Sequence, residues 1–525
     1  MKSAKKNTVI TAMLVSLSML LSKAFGMLRD IVLASLYGTG SVEAIAFSTA
    51  SRIPLLFFDI ALGTAVTAAF IPIYNDILKN KTAKKAQNFS NKFITLIFII
   101  TGVMSLLGIV FSKELALLIA GGLDSEKLIA ASFLTKILFP TMITTGVAYC
   151  IVGILQSAGE FLIPAIISLV SNLFLVLYML IFKNRFGVSG VAVAMLIAWS
   201  LQVVVQIPSL FKIKYSFRFS NPFFDPDIKK VCLLAMPIII SAWVQPINTV
   251  ININLASHLN NGAAITSLDY ANKLYIILVG VFTYTVTNLI FPSLSKMASS
   301  DDNEGYAASV CKSLKYVIFI IIPIMTGFLI LSKPVIRVFY ERGAFNENST
   351  MLTSKALFFY SMGMIGFAIS EIMNKSFYSL KDGKTPMRIS IIGIVINILL
   401  SIFFVKVVKT GLEGLAFSAS VSITFAGFTL LIILNKRMKH MIINKSFCIS
   451  VLKSVVSSLV MAVCVIVTYN FALRMQYGKL LELALPVAVG ACIYALMCII
   501  LKSEEFKSLF AALISKTKRG GTNIE

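Results

Sequence analysis

Apolar residues run along this chain in long blocks, separated by short stretches where Lys, Arg, Asn, Gly and Pro gather. A helix rises 1.5 Å per residue, so about 20 mostly apolar residues cross a hydrocarbon core. By that measure the pattern predicts roughly fourteen spans. They fall in the windows 9–37, 44–75, 92–112, 128–156, 161–182, 188–211, 231–257, 267–295, 314–332, 352–379, 386–405, 412–435, 450–472 and 480–501. The longest windows imply tilt or extension past the membrane.

The pattern also repeats. Lys5-Lys6 before the first span matches Lys229-Lys230 before the seventh, and Gly187-Val-Ser-Gly190 matches Gly411-Leu-Glu-Gly414, each at an offset of 224. Asn172 matches Asn397, and Ala69-Phe-Ile-Pro72 matches Leu289-Ile-Phe-Pro292, at nearly the same offset. Two parallel halves of this kind bind substrate between them and alternate access by rocking. The expected fold is therefore an all-α integral membrane protein of about 14 transmembrane helices. It divides into a six-helix lobe over 1–215, a second over 216–440, two extra helices over 441–502 and a cytoplasmic tail over 503–525. Lys and Arg are concentrated in Lys79–Lys85, Lys212–Lys230, Lys381–Arg388, Lys436–Lys445 and Lys516–Arg519, whereas Gly38–Glu43 and Asn260–Ala264 are poor in them. This asymmetry predicts both termini in the cytoplasm.

Composition agrees with the pattern. The 525 residues are 58% hydrophobic and only 13% charged, with a mean hydropathy of +0.88, too little charge to cover a soluble domain. Lys and Arg number 47 against 23 Asp and Glu, a net +24. The basic residues cluster between apolar runs, which fits anionic headgroups and argues against nucleic acid. The seven cysteines form no CxxC pair, and His258 and His440 both sit at predicted helix ends. No cofactor, metal or disulfide framework is expected. The apolar run after Lys5-Lys6 is too long for a signal peptide and reads as the first membrane helix.

The candidate chemistry lies in charges that interrupt the spans. A charge at the bilayer centre costs about 2.5–3.5 kcal/mol on insertion scales, so it pairs or faces water. The first span carries Lys23, Arg29 and Asp30; the second carries Arg52 and Asp59; the eighth carries Asp269 and Lys273, close enough at i,i+4 to pair. Asp30 is expected to pair with a basic group on a neighbouring helix. Lys136, Lys355 and Lys375 read as interfacial or internally paired residues. Lys23, Arg29 and Lys273 leave a positive surplus that suits an anion, and the planar Arg fork suits phosphate in particular. A net positive cavity would feel the membrane potential at about 2.3 kcal/mol per charge per 100 mV. Asn252, Asn254, Asn397 and Ser401 bring no carboxylate, which weighs against sodium coupling. No Walker A loop, nucleophile elbow, HExxH or paired-carboxylate motif is present, and no enzymatic activity is expected.

Several segments resemble one family. Ser22-Lys-Ala-Phe-Gly-Met-Leu-Arg29-Asp30, Tyr37-Gly-Thr-Gly40, Ala69-Phe-Ile-Pro72, Asp269-Tyr-Ala-Asn-Lys273, Phe339-Tyr-Glu-Arg-Gly-Ala-Phe345 and Phe377-Tyr-Ser-Leu-Lys-Asp-Gly-Lys-Thr-Pro386 are similar to the MurJ/MviN family of lipid II flippases. The resemblance covers about residues 8–440. It implies two lobes around a cationic cavity, with the last two helices forming a groove for the lipid tail. It implies a bacterial cytoplasmic-membrane protein that moves the undecaprenyl-pyrophosphate-linked peptidoglycan precursor from inner to outer leaflet. Its partners would be that lipid, membrane lipids and cell-wall synthesis enzymes. The cavity positions carry over to Ser22, Arg29, Asp30 and Lys273, and Lys23 stands where Arg is common. Where the family has basic residues in mid-span two, this chain has Phe57-Phe58-Asp59, followed by Leu62-Gly63; Arg52 is the candidate replacement, and Glu43 is displaced by one residue. The rival readings are a flippase of another lipid-linked oligosaccharide, a cation-coupled drug exporter, which would want an acidic cavity, and a non-transporting scaffold, which would tolerate loss of the cations.

Overall fold

The structure is a computed structural model that describes residues 2–61, 69–183, 185–223, 225–439 and 441–508, with backbone alone at 2–13, 59–61, 237–242, 244, 288 and 289. The Asp59 side chain, Leu62, Gly63, His440 and the basic tail Lys516–Arg519 lie outside the described side chains. Two compact units make up the chain. The first holds residues 1–269 and 342–346, and the second holds 270–341 and 347–525.

In the first unit the helices are α1 (Lys2–Tyr37), α2 (Val42–Ala61), α3 (Ile71–Asn80), α4 (Ala83–Val110), α5 (Ser112–Ala120), α6 (Ser125–Leu138), α7 (Thr141–Ser157), α8 (Leu162–Phe182), α9 (Gly187–Lys212), α10 (Pro226–Ala242) and α11 (Val244–Ser257). The first residues of α12 (Ala263–Ser299) complete it. The rest of α12 opens the second unit. It continues with α13 (Asn303–Tyr340), α14 (Glu347–Ser361), α15 (Met364–Ser379), α16 (Lys384–Ile402), α17 (Leu412–Arg437), α18 (Lys445–Arg474) and α19 (Lys479–Ile500).

Each predicted window holds helix among the described residues. Among the described residues ten helices are long and apolar enough to cross a membrane, or eleven when the pair Glu347–Ser361 and Met364–Ser379, bent by 49°, counts as one span. The windows 9–37, 44–75 and 231–257, each holding side chains outside the described set, supply α1, α2 with α3, and α10 with α11. Several windows break where the sequence says a helix ladder cannot continue. Pro140 separates α6 from α7, and α13 kinks at Leu331, three residues before Pro334.

The motif residues have structural jobs. Phe70 is fully buried and stacks on Phe93 at 4.6 Å, Tyr74 at 5.5 Å and Phe89 at 5.7 Å, which anchors the start of α3 against α4. The Gly343-Ala-Phe345 turn docks on the end of α1, where the Ala344 N–H donates to the Ser35 carbonyl at 2.8 Å. Gly343 has φ +59, and a Cβ there would lie 2.2 Å from that carbonyl, so only glycine fits. The repeat-matched Gly187 and Gly411 both have positive φ (57 and 74), at the starts of α9 and α17.

In the second unit, α18 and α19 pack on each other and on α13. Tyr494 donates to the Phe319 carbonyl at 2.7 Å, and Arg337 pairs with Glu482 at 2.9 Å. Glu341 takes Lys479 at 2.9 Å and the Thr350 hydroxyl at 2.7 Å. Burial works against the Glu341 carboxylate, but Thr350, Lys479 and Arg337 outweigh it and hold its pKa below the usual carboxylate range.

Helix α15 meets α17 through small residues. A Cβ on Gly366 would fall 2.4 Å from Thr424 Cα, one on Gly427 2.5 Å from the Gly366 carbonyl oxygen, and one on Gly363 2.9 Å from Ser420 Cα. Close backbone approach of this kind replaces the hydrophobic driving force that lipid removes. Gly427→Ala should therefore lower the melting temperature in detergent, costing about 1–3 kcal/mol through backbone displacement. Gly327→Ala, in open space on α13, should be neutral or mildly stabilising.

Candidate functional site

The sequence-predicted cations of the first unit lie on two helices. On α1, Ser22, Gly26 and Arg29 follow the i, i+4, i+7 spacing of one face, and α1 packs along α8. A Cβ at Gly26 would lie 3.4 Å from the Asn172 carboxamide, at ordinary van der Waals distance, so the two helices meet closely here. Asn172 is thereby aimed at the same face. Its Nδ2 donates to the Ser22 carbonyl at 3.3 Å, while its Oδ1 accepts from Arg29 Nη1 at 3.0 Å. Ser22 itself is buried, its hydroxyl donating to the Ser18 carbonyl at 2.8 Å.

Arg29 is held from the other side by its own neighbour. Nη2 and Nε donate to Asp30 Oδ1 at 2.8 and 3.1 Å. The guanidinium is 24% exposed and the carboxylate 7%. This corrects one expectation: Arg29 contributes no uncompensated charge, because Asp30 takes it as a partner. The physical reason is depth, since a carboxylate within reach lowers the cost of a guanidinium in a low-dielectric setting more than an open cavity does.

Arg52 on α2 has the same arrangement. Its Nη2 pairs with Asp269 on α12, the two side chains being 26% and 14% exposed. Asp269 takes a partner 217 residues away, which spacing along one helix does not reveal. Arg52 therefore carries a compensated charge.

Lys23 is exposed, one residue from buried Ser22. Its direction on α1 is 120° from Arg29, and it stands apart from the Asn172 contact. In the second unit Lys273 is half-buried, with Nζ 5.8 Å from the centre of the Tyr270 ring, a cation–π contact. Asn172 as the orienting residue was legible only through its repeat match to Asn397.

Chemically, the first unit presents guanidiniums whose planar forks are fixed in direction and whose charges are balanced by single carboxylates. Such a group binds a dianion by exchanging one acceptor for another, with geometry set in advance.

A family model described as lipid II flippase MurJ matches residues 33–499. A probable lipid II flippase MurJ of Rickettsia prowazekii is 30% identical over 384 residues, covering 72% of this chain and 74% of the relative. Its counterpart in Buchnera aphidicola subsp. Baizongia pistaciae is 26% identical over 509 residues, covering 94% and 98%. Among solved structures, a lipid II flippase MurJ in an inward closed conformation superposes with a TM-score of 0.79 at 25% identity, covering 95% of this chain and 100% of that one. An inward-facing multidrug resistance MATE family transporter of the MOP superfamily superposes at 0.67 with 14% identity, covering 81% and 96%, and so shares the fold.

The Arg52–Asp269 pair yields a direct test. Asp269→Asn leaves the guanidinium without its carboxylate and should cost about 1–2 kcal/mol, less than a fully buried pair because both groups are part-exposed. A double-mutant cycle with Arg52→Gln, read by thermal melting in detergent, should return a coupling energy of about 1 kcal/mol. Additive effects would mean that the pair contributes nothing.

Proposed function

The chain belongs to the lipid II flippase MurJ family, and from that premise we infer that it is a lipid II flippase whose diphosphate-binding group is centred on Arg29. The observation that carries the assignment of Arg29 is its pre-oriented guanidinium, held at membrane depth by Asn172 and Asp30. The empty carrier keeps Arg29 neutralised; an arriving diphosphate displaces the carboxylate and takes the fork. Arg52 is proposed to act in the same way against Asp269, in place of the basic pair that this chain lacks at Phe57-Phe58. Ser22 and Asp30 belong to the site by direct contact or through Asn172. Lys23 and Lys273 enter on the family resemblance, as point charges without the fork, so their phosphate contacts are looser.

Transport is proposed to run by alternating access between the two repeat halves, 1–215 and 216–440. The lipid tail stays in the bilayer along α18 and α19, and residues 503–525 form a cytoplasmic tail. The positive-inside asymmetry supports cytoplasmic termini in a bacterial inner membrane. Enzymes that make and polymerise the lipid-linked precursor are the partners this reading implies.

In proteoliposomes containing only this protein, labelled lipid II should reach the opposite leaflet. Arg29→Ala should abolish both that movement and growth of a flippase-depleted strain, with membrane levels unchanged. Normal growth on Arg29→Ala would remove Arg29 from the site, and a failure of wild-type protein to move the lipid would overturn the flippase reading.

A further inference from the structure

The second unit holds an ionisable side chain that the cation-based site does not use. Glu371 lies on α15, eight residues before the helix ends at Ser379, which places it about 12 Å inside that end. The bent pair of α14 and α15 is apolar enough to span the membrane. Ionisable groups at such depth mark functional sites by default. Glu371 is half-buried, and among the described residues no ion pair or hydrogen bond reaches its carboxylate.

Its surroundings are specific. Lys375 is one turn further along the same face, the spacing at which Glu and Lys ordinarily pair. Its ammonium sits instead 5.5 Å from the centre of the Phe291 ring on α12. Tyr284 of α12 and Tyr378 of α15 also face the carboxylate. Helices α13, α16 and α17 pack on α15 as well, and among the described residues they bring no charged group to it. Asn374, at i+3, has a buried carboxamide oxygen with no hydrogen-bond partner.

These observations fit a neutral carboxyl. At i,i+3 the two side chains are neighbours on one helix face, and a protonated carboxyl has an O–H to donate to the Asn374 oxygen, whereas an ionised one has none. The ionised form has a different partner in reach, the Lys375 ammonium once it leaves Phe291. Two pairings of the same four side chains thus correspond to two protonation states, the bistable element that a coupling site needs. A metal cation is disfavoured, because a single carboxylate beside an ammonium offers too few oxygens of the right charge.

We propose that Glu371 is a proton-binding site that couples proton movement to transport, its carboxyl bonded to Asn374 when protonated and paired with Lys375 when ionised. The proton enters from the side to which the headgroup is delivered and leaves on the other, so proton and headgroup move in opposite directions. The coupling role rests on the flippase reading; protonation of Glu371 does not.

The test uses the purified full chain in proteoliposomes with labelled lipid II and the membrane potential clamped. With one proton per cycle, a gradient of one pH unit, acid on the receiving side, should shift the leaflet distribution by up to about tenfold. In Glu371→Gln the distribution with and without the gradient should coincide. Infrared difference spectra across a pH titration should show a protonated-carboxyl band that is absent from Glu371→Gln, a readout that stands even where the variant moves no lipid. A gradient response that survives in Glu371→Gln, a sodium gradient acting in place of the proton, or the lack of a Glu371 carboxyl band would overturn the proposal. Wild-type protein that moves no lipid II would instead sink the flippase reading and the coupling role with it, leaving the infrared band to decide protonation.

Discussion

The cost of holding a charge at membrane depth organises the first unit of this protein. Each of its two span-embedded arginines has a carboxylate within contact, Asp30 for Arg29 and Asp269 for Arg52. Removing a buried charge's partner is far more destabilising than replacing the pair as a whole, so these carboxylates are what allow the arginines to exist there before any substrate arrives. On the binding mode proposed above, a diphosphate would satisfy the same requirement with more acceptor oxygens and more charge. Empty and loaded states would then compete for the same donors, and tight binding would be tempered, as a carrier that must also release its cargo requires.

Close approach in this scaffold comes from residues with little or no side chain. Gly343 lets its turn dock on the end of α1, and Gly366 with Gly427 lets α15 approach α17. In lipid, where apolar burial between helices drives little, such contacts set distances that larger residues would relax. A guanidinium fork is useful against phosphate only when its plane is fixed, and on α1 the Asn172 and Asp30 contacts fix it.

Much of this was legible in the chain. Each window of apolar residues holds helix among the described residues, because twenty-residue apolar blocks in a membrane satisfy their backbone within the helix. Both breaks carried their own signals: Pro140 lies between α6 and α7, and Pro246 follows the break at Trp243, between α10 and α11, by three residues. Arg29, Asp30 and Arg52 stood out as charges in the wrong solvent. Their partners were harder to read, since spacing along one helix sees only neighbours three or four residues away. That rule reaches Lys273 from Asp269 but not Arg52, which comes from 217 residues earlier. Glu371 escaped for a different reason: a search for surplus cations passes over a lone acid inside an apolar run.

The pairing also changes what the membrane potential acts on. A surplus of bare cations would make the empty carrier respond to the field by itself. With Arg29 and Arg52 each neutralised, those two residues carry no net charge across the membrane until substrate arrives. In the proposed cycle, where a diphosphate displaces a carboxylate, the charge that moves would be set by the headgroup and by whatever proton or cation balances the displaced acid. Energy coupling then depends on where carboxylates find their partners during the cycle. An acid that can take a proton, placed in the second unit beside an ammonium one turn away, answers that need by turning a pairing choice into a proton count.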